Sequence, residues 1–177
     1  MQTKRLILRK FRTSDADDLY EYLADPQVVE FEPYAPFNYQ AAREAAVQRS
    51  LDENFWAVCL KANQKMIGNL YLAETEAQIF TLGYVLNRRY QKQGLATEAV
   101  KKILDWAFYE KSAHRVVAHC NPKNERSWQL LERCHFYREG LLRKNVAFFK
   151  GPAGLPLWQD TFVYGLLEEE YRILSKQ

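Results

Sequence analysis

The hydrophobic period of this chain changes at Gly94, and that change limits the folds open to it. Residues 77–86 form an apolar run of strand length. Beyond Gly94, Leu95, Ala99, Ile103 and Ala107 recur at helical spacing, with Ala96, Val100, Leu104 and Phe108 beside them. That is a wide apolar stripe on one long helix. A strand therefore feeds a helix through a short polar turn, which calls for a sheet with helices packed on it. Other strand-like runs occupy residues 6–9, 55–60, 65–72, 115–120, 136–142 and 157–166. Asn63-Gln64 marks a hairpin turn. Helical spacing recurs at residues 16–23, 39–52 and 124–134. Thr13-Ser14-Asp15, with Asp17 following, resembles a capping box whose hydroxyl opens the first helix. No repeat or linker divides the chain, so residues 1–177 are expected to form one mixed α+β domain.

Composition narrows the function. With 177 residues, 47% hydrophobic and 27% charged, the chain can bury a core without staples and is not disordered. A formal charge of +3 is too small a bias to argue for nucleic acid. Cys59, Cys120 and Cys134 form no C-x-x-C pair, and an odd count closes no disulfide framework, which points to reduced thiols in the cytoplasm. The histidines 114, 119 and 135 have no zinc spacing, and no metal is expected. Met1 to Arg5 leads straight into a strand-like run without a signal-peptide core. No apolar stretch approaches the roughly 20 residues of a membrane span.

The chemistry concentrates in Gly83-Tyr84-Val85-Leu86 and the loop from Asn87 to Thr97. The first N–H groups of a helix lack internal partners and sit at the positive end of its dipole, so a tight loop that curls them inward cradles an anion. Gly94 lets backbone approach a phosphate without a Cβ in the way, and small Ala96 does the same one turn in. Glycine also opens many helices, and on spacing alone that simpler reading stands equally.

Gln91-x-x-Gly94-x-Ala96 closely resembles the pyrophosphate loop of the GNAT superfamily of acyl-CoA-dependent N-acetyltransferases. Thr97-Glu98-Ala99, His114-Arg115-Val116, Asn124-Glu125-Arg126-Ser127 and Glu139-Gly140 continue the likeness. So do Arg5 to Arg9, Glu32-Pro33 and Asp160-x-x-x-Tyr164. The pattern is similar to the branch holding the ribosomal-protein-alanine N-acetyltransferases. The resemblance implies a mostly antiparallel sheet, flanked by helices, that splays between its fourth and fifth strands. The pantetheine arm of acetyl-CoA, the co-substrate, would lie in that gap against Tyr84, Val85 and Leu86. Its diphosphate would rest on Gln91, Lys92, Gln93, Gly94, Leu95, Ala96 and Thr97, and Asn124 would be a cap, a coenzyme contact or both.

Ser127 matches the serine that this branch uses near the coenzyme sulfur; a helix-start serine bonding its own backbone is the alternative. The tyrosine that many members carry four residues later is replaced by Leu131, and the glutamate they carry on the fourth strand by Thr81. His119, Glu32 and Glu74 are left as candidates for the general base. The aromatic loop of residues 31–37, with Glu32 and Tyr34, and Phe148-Phe149 form the expected acceptor wall. The acceptor is a peptide α-amine or a small amine. The expected assembly is a homodimer, with neither nucleic acid nor membrane as partner. A non-catalytic acyl-CoA-binding module is the alternative function.

Overall fold

The computed structural model describes residues 1–174. The strands are β1 (Leu6–Lys10), β2 (Phe55–Leu60), β3 (Met66–Glu76), β4 (Ile79–Leu86), β5 (Arg115–Cys120), β6 (Tyr137–Val146) and β7 (Gln159–Leu167). The helices are α1 (Ala16–Leu23), α2 (Pro26–Val29), α3 (Tyr39–Leu51), α4 (Leu95–Asp105), α5 (Glu125–Arg133) and α6 (Glu168–Leu174). The strands form one sheet in the order β1-β2-β3-β4-β5-β7-β6, antiparallel except for the β4–β5 pair.

Both faces of the β1–β4 half are covered, which is why these strands read as continuous apolar runs. Val58, Ile67 and Leu70 face α4, where Leu95, Ala99, Val100 and Ile103 carry the stripe seen in the sequence. Alternate residues Ala57, Cys59 and Met66 face the other way, against Leu19, Tyr22 and Leu23 of α1 and Ala46 of α3. Tyr171 fastens α6 to α4 through its hydroxyl, 2.8 Å from an Asp105 carboxylate oxygen.

Several local expectations need correction. No Ser14 hydroxyl opens the first helix. A 3-10 turn over Thr13–Asp15 precedes α1, and the Asp15 carboxylate accepts from the Arg12 N–H at 2.8 Å and pairs with Arg9 at 2.6 Å. A carboxylate held by a guanidinium is a stronger acceptor than a serine hydroxyl. Asp25-Pro26 ends one helix but also starts the short α2, because Asp25 caps Gln27 and proline suits a first helical turn. The long helix leaves α-geometry at Trp106 and finishes as a π turn to Glu110. Residues 77 and 78 belong to the β3–β4 turn, with Gln78 at φ 60°.

Two features position the site. β4 and β5 pair only from Ile79 opposite Arg115 to Leu82 opposite Ala118; Gly83 to Leu86 continue along β3 without a β5 partner. The strands therefore splay, as the resemblance implied. The second feature is Gly68 of β3. A Cβ there would lie 2.4 Å from the Val85 carbonyl oxygen and 2.9 Å from Leu86 Cα, so glycine permits the close approach of β4. Gly68→Ala is expected to lower stability by about 2 kcal/mol, as overpacking of a closed core does. A urea unfolding midpoint unchanged from the parent would contradict this.

Candidate active site

The splay opens a cleft of about 1030 Å³. Gly83 to Leu86 form one edge and Ala118 to Asn121 the other. Residues at the starts of α4 and α5, Gln27, Val28, Glu30 to Pro33 and Phe148 also line it.

The loop before α4 is shaped for an anion. Lys92 and Gly94 both take left-handed conformations, at φ 59° and φ 74°. The first helical bond runs from the Glu98 N–H to the Gly94 carbonyl. Among the described residues, the six N–H groups from Lys92 to Thr97 have no protein acceptor. Unpaired donors at a helix head are an electropositive cradle. Lys92, Gly94, Ala96 and Thr97 line the cleft. The back of the loop is braced by Arg5, which donates to the Gln93 carbonyl at 2.9 Å and pairs with Glu98 at 2.7 Å. Thr3 and the Arg5 N–H also donate to Glu98. Glu98 is thus a tie between α4 and the segment that leads into β1. Hydrogen bonds and opposite charges hold the Glu98 carboxyl below its ordinary range, although burial, the largest single influence, works the other way.

Gln91 spans the mouth: its amide donates to the Leu86 carbonyl at 3.0 Å and accepts from Arg126 at 3.2 Å. Arg88 and Arg89 pair with Asp25 and Glu21, so of the three cations in this loop Lys92 is the one lining the cleft. Opposite the cradle, Asn124 caps α5 by accepting the Ser127 N–H at 3.3 Å. Ser127 lines the cleft, with the Tyr84 hydroxyl 2.9 Å from its Oγ. Burial pushes the neighbouring Cys120 thiol up to about 11, against the pull of Ser127.

An acyl-CoA fits these features: unpaired strand edges for an extended amide-bearing arm, and a helix-head cradle for a diphosphate in the same cleft. Residues 5–137 match the family model of the acetyltransferase (GNAT) domain. The chain belongs to the GNAT acetyltransferases.

Its relatives agree. The uncharacterized N-acetyltransferase YnaD of Bacillus subtilis (strain 168) is 32% identical over 172 residues, covering 96% of this chain and 97% of that one. The crystal structure of a GNAT-family acetyltransferase from Bacillus anthracis has a TM-score of 0.87 at 28% identity, covering 96% of this chain and 99% of the other. Over 59 residues, 33% of this chain and 30% of the relative, identity is 36% to the [ribosomal protein uS5]-alanine N-acetyltransferase of Escherichia coli (strain K12). The protein is an acetyl-CoA-dependent N-acetyltransferase.

Within this acetyltransferase the structure separates the residues singled out in the sequence. Tyr84, Val85, Leu86, Gln91, Lys92, Gly94, Ala96, Thr97, Asn124, Ser127 and Glu32 all line the cleft. Leu95 does not; its side chain is buried in the core, so only its N–H is free to serve a ligand. Gln93 is exposed outside the lining and its amide donates to the Arg89 carbonyl at 3.0 Å. Tyr34 packs against Phe37, with ring centroids 5.1 Å apart, behind the wall that Glu32 faces.

Of the base candidates, Glu74 accepts the Gln78 N–H in the β3–β4 turn and lies outside the cleft lining. His119 and Glu32 line the cleft. Burial raises the Glu32 carboxyl above the ordinary range, while Tyr34 and the buried Arg49 pull it back. Sequence reasoning missed the Tyr84–Ser127 contact, which joins residues on different elements. Among the described residues no cluster of His, Cys, Asp or Glu suits a metal ion, and no helix is long and apolar enough to cross a membrane.

Proposed function

We propose that the enzyme transfers the acetyl group directly from acetyl-CoA to a primary amine entering past Glu32 and Phe148, with Ser127 stabilising the departing thiolate. The observation that carries this reading is that Lys92, Gly94, Ala96 and Thr97, whose N–H groups are free, line the same cleft as Ser127. Coenzyme contacts are assigned to Tyr84, Val85 and Leu86 along the arm, to Gln91, Lys92, Gly94, Ala96 and Thr97 with the Gln93 and Leu95 backbone at the diphosphate, and to Asn124. The amine nitrogen attacks the thioester carbon, the C–S bond breaks with its electron pair on sulfur, and the amine proton leaves to solvent. Holding both reactants in the splay supplies most of the acceleration.

The acceptor wall is assigned to Glu32, with Tyr34 supporting it from behind. A partly buried carboxylate favours an acceptor that arrives as a cation. A peptide α-amine is supported by the partial likeness to the uS5-alanine enzyme; a small amine fits the same wall. Cytoplasmic location is supported by three buried, unpaired cysteines. A homodimer is supported by Tyr137, Leu141, Phe149, Leu155 and Trp158, all exposed on and after β6.

Thiol release with alanine-headed peptides and with spermidine as acceptors is the test. Turnover with one of these classes is expected, and Glu32→Gln should raise the amine KM about tenfold, the loss of one charged contact. Tight acetyl-CoA binding without thiol release from any amine would instead favour the acyl-CoA-binding module, a reading that Leu131 and Thr81 at the usual tyrosine and glutamate positions keep in view.

A further inference from the structure

The Tyr84 hydroxyl has two neighbours, the Ser127 carbonyl oxygen at 2.9 Å and Ser127 Oγ at 2.9 Å. A phenol carries one proton, and a carbonyl only accepts. Two arrangements follow. If the phenol donates to the carbonyl, its oxygen is left to accept the Ser127 proton, which then points away from the cleft. If the phenol donates to Oγ, Ser127 keeps its own proton free for an acceptor in the cleft. One rotation at Tyr84 therefore decides whether the phenol competes for the Ser127 proton or leaves it free. Leu131, at the position where many relatives carry a tyrosine, is 1% exposed in the core and offers no donor.

We propose that Tyr84 is a positioning residue of the acetyl transfer: its phenol donates to Ser127 Oγ as the C–S bond breaks, so that the Ser127 proton is directed at the coenzyme sulfur. The inference rests on the reading of Ser127 given above. No proton is lost from either hydroxyl. The pair stabilises the thiolate by hydrogen bonding, and the sulfur then takes a proton from solvent in exchange for the one the amine released. A donor to a donor strengthens the second bond. Burial raises the phenol far above its ordinary value, so it stays protonated throughout the neutral range.

The test uses the full chain with CoA itself as the probe, reading the bound thiol by its thiolate absorbance as pH is raised. Tyr84→Phe keeps the ring and its packing. It is expected to raise the thiol midpoint by about one pH unit. Ser127→Ala should raise it at least as much, and the double variant no further than Ser127→Ala alone. Site-specific 3-fluorotyrosine at position 84, a stronger donor of the same shape, should lower it. A midpoint moved by Ser127→Ala but not by Tyr84→Phe leaves the Ser127 reading intact and overturns the role of Tyr84. A midpoint moved by Tyr84→Phe alone, or additive shifts in the double variant, shows the phenol acting without Ser127 and overturns the relay. No shift in any variant overturns both.

Discussion

Calorimetry of the Gly94→Glu variant should show acetyl-CoA binding weakened roughly a thousandfold, with the protein still folded. The chain itself has room for the change: a Cβ at this position meets only Arg5 Nη2, at 3.4 Å. The conformational cost arises because Gly94 sits at φ 74°, and holding an L-residue there costs about 1–2 kcal/mol. That is within what an ordinary domain tolerates. The ligand side is different. Gly94 lines the cleft, so although the new side chain starts beside Arg5, its carboxylate adds negative charge close to the head of α4, where the diphosphate is assigned. Two unit charges about 4 Å apart near a protein surface repel by about 4 kcal/mol, which is the thousandfold. Unchanged affinity would move the coenzyme elsewhere.

The second large effect is on turnover. Ser127→Ala removes one preorganised donor from the cleft, and such a loss costs about 3 kcal/mol, or about a hundredfold in kcat. Acetyl-CoA affinity should change little, because the cradle N–H groups and the Asn124 cap do not depend on this hydroxyl. The α5 start should also hold, since Asn124 Oδ1 accepts the residue 127 N–H from backbone. Steady-state kinetics with kcat unaltered would reduce Ser127 to a helix-start residue.

The parts of this enzyme legible in the sequence are those that depend on neighbours along the chain. The stripe on α4 and the glycine before it are local, and both stand where the spacing placed them. So does the Asn124 cap, three residues before Ser127. Strand order is not local. β7 inserts between β5 and β6, although alternation along a strand reports which face a residue takes and not which strand lies beside it. The C-terminal α6 went unread because Glu168-Glu169-Glu170 looks like solvated surface; its anchor, Tyr171, finds Asp105 only in the folded chain. Arg88 and Arg89 stand close to Lys92 in sequence, but their partners Asp25 and Glu21 lie more than sixty residues earlier, beyond the reach of local spacing. The Tyr84–Ser127 contact spans 43 residues and has no sequence signature at all. Asp160-x-x-x-Tyr164 could be quoted as a pattern but not explained: Asp160 holds the N–H of Lys144 at a left-handed bend in β6, and Tyr164 donates to Glu132 on α5.

The sheet is in effect hinged. Four residue pairs at one end hold β4 to β5, and past Leu82 the two halves diverge with amide groups facing across the gap. An arm that bonds both edges would act as a splint, completing the ladder from the open end. Opening of the sheet and release of the coenzyme would then share one coordinate. The subglobal unfolding that exposes β5 amides to exchange should be suppressed by saturating CoA by the same mass action that stabilises any fold with its ligand. Placed as proposed above, the coenzyme would be a temporary eighth strand, and the enzyme would be most completely folded when it is ready to react.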